Sequence, residues 1–260
     1  MNEIRAGFVG LGAMGWPMAG HLARAGLLAA VWNRSHDKAL AAAQEYGVAA
    51  PRDLVELVRA CNVIALCVPA DADVIELART IAAHDCAFLD APVSGGVEGA
   101  KNGKLSVMVG GDADALERVR PVLACYAAKI SHMGEVGAGQ NTKAVNQVLV
   151  AGIAQAVCEG LALSERLGLD PERLLPTLGA GAAGNWFLDK RGATMLKDEF
   201  KVGFKLALLH KDLKIVRQLA LDAGTDRSVI EKSLADYAVL LAQGHGDEDI
   251  SALIRLKRPR

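Results

Sequence analysis

Up to about residue 133 the chain alternates short apolar runs with stretches whose apolar residues recur every three or four positions. The runs predict strands over 4–9, 28–32, 63–68, 87–89, 105–109 and 129–132. The stretches between them predict helices over 14–25, 37–46, 51–60, 72–83 and 113–124. Strand and helix in alternation, joined by short loops, make a parallel, doubly wound α/β sheet. After Gly139 the strand signals stop. Residues 141–167 contain no proline, their only glycines are Gly152 and Gly160, and Gly168 stands at the natural stop. At 3.6 residues per turn this is a helix of roughly seven turns. It is apolar on nearly every face, so burial is expected, against its own domain and against a second subunit. Further helices are expected over 171–178, 205–223 and 228–243. The expected domains are 1–136, a nucleotide-binding α/β domain, and 137–260, an all-helical domain for substrate and dimerisation.

The first strand breaks into Gly10-Leu11-Gly12-Ala13-Met14-Gly15 just before a helix. Gly-x-Gly-x-x-Gly in that context is the dinucleotide fingerprint of a Rossmann-type sheet. Gly10 permits the tight turn, Gly12 lets pyrophosphate approach the backbone, and Gly15 lets helix and strand pack closely. N–H groups at the helix start then hold phosphate charge. The second strand ends in Asn33-Arg34-Ser35, where an acid would accept bonds from an adenosine ribose and repel a 2′-phosphate. A neutral amide, a guanidinium and a hydroxyl favour NADP, with NAD as the second candidate. Val68 and Pro69, at the end of the third strand, complete the cofactor candidates of this half.

Composition narrows the field. The 260 residues suffice for two domains, 52% are hydrophobic, and a net charge of -1 gives no general attraction to nucleic acid or to an anionic membrane. Five cysteines without a C-x-x-C pair read as reduced and buried, the pattern of a cytoplasmic protein. No secretory signal and no apolar run of membrane-spanning length is read from the sequence. The basic residues Arg255, Lys257, Arg258 and Arg260 read as a solvated end. No His/Cys/Asp/Glu grouping has metal-ligand spacing, so no metal is expected.

Two further segments carry candidate chemistry. Asp90-Ala91-Pro92-Val93-Ser94-Gly95-Gly96 follows a strand, and Ser94-Gly95-Gly96 offers a hydroxyl and unhindered N–H groups suited to a carboxylate. Lys143, Asn146 and Gln147 lie at i, i+3 and i+4 and share one helix face. On a buried helix these groups need partners or a ligand. A lysine beside a carbonyl can stabilise developing charge and donate a proton as hydride arrives, or do the reverse.

With these motifs, and with Lys211-Asp212-Leu213 and the stretch 246–253, the chain resembles the β-hydroxyacid dehydrogenases, the family of 3-hydroxyisobutyrate dehydrogenase and tartronate semialdehyde reductase. The resemblance runs from Ile4 to the C-terminal stretch. It implies that Lys143 is catalytic, that Ser94, Gly95, Gly96, Asn146 and Gln147 contact a small carboxylate-bearing substrate, and that Lys211 closes over the cofactor. It also implies a homodimer or homotetramer built through the helical domain. The Asn-Gln pair looks more like the tartronate semialdehyde reductase branch. His210 reads as structural or surface, and Trp186 and Phe187 as either pocket or core.

Between Val68 and Phe88 the chain is shorter than the family pattern, which has a further strand and a Ser/Thr loop beside the nicotinamide. The expectation is a sheet one strand short. Alternative readings are therefore a dinucleotide-binding homologue with weak or no turnover, and imine reduction on the same architecture, against which Lys143 argues.

Overall fold

The computed structural model describes residues 3–68 and 86–258. The helix expected over 72–83 and the candidate residue Pro69 lie outside the described residues. The chain divides into two compact units, Met1–Lys143 and Ala144–Arg260.

In the first unit β1 (Ala6–Val9) lies between β2 (Leu28–Trp32) and β3 (Val63–Leu66), all parallel, with Phe8 opposite Val31 and Ala65. β1 is buried along its whole length. It therefore reads as a continuous apolar run, the mark of a parallel strand covered on both faces. Phe8 packs with Met18, Ala19 and Leu22 of α1 (Gly15–Arg24), while Val9 packs with Ala30 and with Leu57 of α3 (Leu54–Ala60). α2 (His36–Tyr46) ends at Gly47, which takes the left-handed conformation.

A second sheet follows. β6 (Leu105–Gly111) pairs antiparallel with β4 (Leu89–Asp90) and β5 (Val93–Ser94) and parallel with β7 (Ala127–Gly134). Two-residue strands separated by Pro92 are too short for any alternation to show, so β5 and α4 (Gly96–Lys101) escape a reading of periodicity. α5 (Ala113–Ala124) is capped by Asp112, whose side chain accepts the Ala115 N–H. Among the described residues no ladder joins β3 to the second sheet.

The second unit is helical: most of α6 (Ala138–Arg166), then α7 (Pro171–Ala180), α8 (Trp186–Leu196), α9 (Leu206–Asp222), α10 (Ser228–Ala242) and a 3-10 helix (Ile250–Leu256). Its core is built from Leu209 and Leu213, Tyr237 and Leu240, and Leu253 and Ile254. Within the chain, Ala151, Ala154, Cys158, Leu161 and Ala162 of α6 enter the core, while Val145, Leu149, Ile153 and Leu163 of the same helix are exposed. By length and composition alone α6 is also long and apolar enough to cross a membrane, being 29 residues long with an 18-residue window of mean hydropathy 1.5, which corrects the expectation that no apolar run reaches that length. The sequence reading missed this because Gln147, Gln155 and Glu159 interrupt the run without lowering its average enough.

Arg255, Lys257 and Arg258 do not form a solvated end, and Arg260 lies outside the described residues. The 3-10 helix buries Ile250, Ala252, Leu253 and Ile254, and so carries its cations to acidic partners. Arg255 bonds Glu248 and lies 4.3 Å over the Phe200 ring. Lys257, with 8% of its side chain exposed, meets Asp236 at 3.1 Å, and Arg258 bridges Glu165 and Asp198. Asp249, 1% exposed, accepts the N–H groups of Gly203, Phe204 and Ser251 and lies 3.3 Å from Arg191. It thereby ties the 3-10 helix to the loop entering α9. Removing it strands a guanidinium and three donors, so Asp249→Ala should cost about 3–5 kcal/mol, read as a fall in the urea midpoint at unchanged slope.

Candidate active site

Gly10 adopts φ +94°, and a Cβ there would collide with the Cys67 carbonyl at the end of β3. A Cβ on Gly15 would collide with the Gly10 carbonyl, so the first turn of α1 sits directly on the loop. Nothing lies within 4 Å of a Cβ built on Gly12, which with Ala13 is exposed. No side chain caps α1 and its first turn has no acid, so its leading N–H groups suit a pyrophosphate. Leu11 is a core residue by its side chain, and Met14 is half-buried. Val68 packs beside Gly10. Asn33 has a role the sequence did not reveal. Its Oδ1 accepts the Leu11 N–H at 3.0 Å and its Nδ2 donates to the Ser35 carbonyl, so it laces the glycine loop to the turn carrying Arg34 and Ser35, both exposed.

Lys143 is brought to the second sheet of the first unit, where its Nζ donates to the Val93 carbonyl at 2.9 Å. Val93 immediately precedes Ser94-Gly95-Gly96. Gly95 and Gly96 turn through φ +129° and +63°, a conformation open to glycine and hostile to other residues. The ammonium and the candidate carboxylate turn are thus one residue apart along β5. Asp90, three residues earlier, is 7% exposed, and its two oxygens accept the Gly137 and Gln140 N–H groups, each at 2.7 Å. This residue was missed as a participant. The available signal was a carboxylate inside an apolar strand, which must find donors.

The second unit assembles its own polar chain. Asn146 Nδ2 donates to Gln147 Oε1 at 2.9 Å, and Gln147 Nε2 donates to Asp212 Oδ2 at 2.8 Å. Asp212 Oδ1 lies 3.3 Å from Lys211 Nζ. Gln147 is 2% exposed, so its amide is satisfied internally. Asp212, also missed as a participant, is the hub linking the amide pair to Lys211. His210 lies half-buried, and burial, with Lys214 nearby, pulls its pKa down. Phe187 is a core residue, whereas Trp186 is exposed beneath Arg191, 5.3 Å from its ring centre. Among the described residues no His/Cys/Asp/Glu group could hold a metal.

Residues 137–257 match the family model for the NAD-binding region of NADP-dependent 3-hydroxyisobutyrate dehydrogenase, and 5–81 and 72–134 that for the NAD binding domain of 6-phosphogluconate dehydrogenase. A probable 3-hydroxyisobutyrate dehydrogenase of Mycobacterium tuberculosis is 36% identical over 289 aligned positions, covering 97% of either chain. The chain belongs to the NAD(P)-binding 3-hydroxyisobutyrate dehydrogenase-like oxidoreductases.

This oxidoreductase is also 32% identical to the 2-hydroxy-3-oxopropionate reductase of Escherichia coli, over 97% of this chain and 96% of that one. A solved structure of the M. tuberculosis 3-hydroxyisobutyrate dehydrogenase with L-serine superposes with a TM-score of 0.84 at 31% identity, covering 98% and 99% of the two chains. The 289 aligned positions exceed the 260 residues of this chain, so the relative carries a stretch absent here. The two matched stretches of the 6-phosphogluconate dehydrogenase model overlap at 72–81, which places the break in the match there.

Proposed function

We propose that this NAD(P)-dependent enzyme interconverts a small β-hydroxy acid and its semialdehyde or oxo acid, with NADP preferred and Lys143 as the acid/base. The observation that carries this reading is the Lys143 ammonium held at the Val93 carbonyl, beside Ser94-Gly95-Gly96. The open backbone at Gly12 and the uncapped start of α1 fit a dinucleotide, and Asn33, Arg34 and Ser35 fit a phosphorylated ribose. A bound nicotinamide supplies the hydride for reduction and accepts it in oxidation.

The chain's own residues do the rest. Ser94 and the following N–H groups hold the substrate carboxylate. In reduction the Lys143 ammonium gives its proton to the carbonyl oxygen as negative charge develops there, and in oxidation the neutral amine removes the hydroxyl proton. Asn146, a turn further along α6, binds substrate polar groups, while Gln147, expected to share that role, is buried and bonded to Asn146 and Asp212 and so holds the Asn146 amide in place. The five cysteines are free, which supports a cytoplasmic setting, although only Cys158 is buried and Cys86 is exposed, against the expectation of burial.

The exposed apolar residues of α6 line up with Gly152, Ala156 and Gly160, which edge a groove of about 630 Å³ between α6 and α10. A continuous apolar stripe beside small residues is suited to a second copy of the same chain, and the assembly proposed is a symmetric dimer.

Three measurements check this. Lys143→Ala should lower kcat for NADPH-dependent reduction of glyoxylate, succinic semialdehyde or tartronate semialdehyde by about 10²–10⁴-fold while NADPH still binds. Equal turnover in the variant sinks the assignment; NADPH binding without wild-type turnover would instead favour a protein disabled by its shortened segment. Arg34→Ala should weaken NADPH roughly tenfold and leave NADH unchanged, read by fluorescence titration. Light scattering should give a dimer for the wild type and a monomer for Leu149→Asp; a monomeric wild type would refute the interface.

A further inference from the structure

We propose that Asp90 is the positioning residue for Lys143, fixing the rotation and height of the first turns of α6. The inference rests on the acid/base reading of that lysine.

The leading N–H groups of a helix have no partner within it, and a carboxylate there is doubly favoured, by hydrogen bonding and by the helix dipole. Such caps usually come from the residue just before the helix. Here the cap comes from β4, 47 and 50 residues away in sequence. Each oxygen takes a separate N–H, one from Gly137 and one from Gln140, so the carboxylate fixes two points on the turn rather than one.

The surroundings are shaped to this contact. A Cβ on Gly139 would come within 2.7 Å of Asp90 Oδ2, and one on Gly110 would collide with Oδ1. Both neighbours are bare backbone where the carboxylate lies. Three residues beyond Asp90, the Val93 carbonyl takes the ammonium of Lys143, itself three residues beyond Gln140. One short segment of sheet therefore grips α6 at its backbone and at its lysine. Without the carboxylate, the close packing of Gly139 on β6 limits how far the helix start can move but leaves its N–H groups unheld, so a small roll carries Nζ away from the turn at Ser94.

Asparagine at position 90 keeps one acceptor but turns an NH₂ toward the second backbone N–H. Asp90→Glu keeps the charge and displaces it by a methylene. Both should therefore act on Lys143 through geometry. kcat and KM are measured for the wild type, Asp90→Asn, Lys143→Ala and the double variant, with melting curves and amide exchange at Gly137 and Gln140. Asp90→Asn should lower kcat about 100-fold, the order expected when a reacting group is displaced by about 1 Å, with NADPH affinity unchanged and faster exchange at the two amides. In the Lys143→Ala background it should cost nothing further. An equal loss in both backgrounds, or an unchanged kcat in the wild type, overturns the inference and leaves the lysine assignment standing. Wild-type turnover by Lys143→Ala alone overturns that assignment and this inference with it. If Asp90→Asn does not fold, Asp90→Glu carries the same comparison.

Discussion

Backbone must touch backbone at two places in this molecule, and the rest of its functional geometry is hung from those contacts. At the first, Gly15 sits against the Gly10 carbonyl and Gly10 against the end of β3. At the second, Gly110 of β6 and Gly139 of α6 close around the carboxylate of Asp90. A single methyl group at any of the four would push apart elements whose separation sets where an N–H or an ammonium points. Protein interiors accommodate such intrusions poorly, because they are already packed as densely as organic crystals.

The second recurring device is the carboxylate that gathers distant groups. Buried Asp90 gathers the start of α6, buried Asp249 gathers the loop before α9, and half-buried Asp212 joins Gln147 to Lys211. In each case the cost of removing an anion from water is offset by several N–H donors or by a cation. Asp90 and Asp212 also lie next to segments proposed for binding or chemistry. Local order at these places is therefore set by polar contacts of long sequence separation more than by helix or strand propensity.

That distinction explains what could be read from the sequence. Elements with a long apolar period were legible: β2 and α5 match their expected bounds, and α6 differs by only a few residues. The glycine fingerprint, Lys143 and the Ser-Gly-Gly turn stood out in the sequence as motifs, and the structure brings Lys143 to the residue before that turn. β5 and α4 were not, since both are too short to display a period, and α8 was hidden in a loop-like stretch that opens Gly184-Asn185. The partners of Asp90 and Asp212 were invisible for another reason: 47 and 65 residues separate them from the groups they bind, and no local pattern encodes such a meeting. Lys257 and Arg258 misled for the same reason, their acids lying upstream at Asp236, Glu165 and Asp198.

The 3-10 helix over Ile250–Leu256 has a consequence for the order of events at the ribosome. Domains generally fold as units while the chain is still being made. The first unit closes at Lys143, so its core is available early. The helical unit is different, because Ala252, Leu253 and Ile254 fill its centre and Lys257 and Arg258 neutralise acids laid down long before. Until that last segment emerges, a nascent chain carries a finished nucleotide-binding half joined to an open apolar helix array. During this interval the apolar surface that Ala252, Leu253 and Ile254 later cover is open to water.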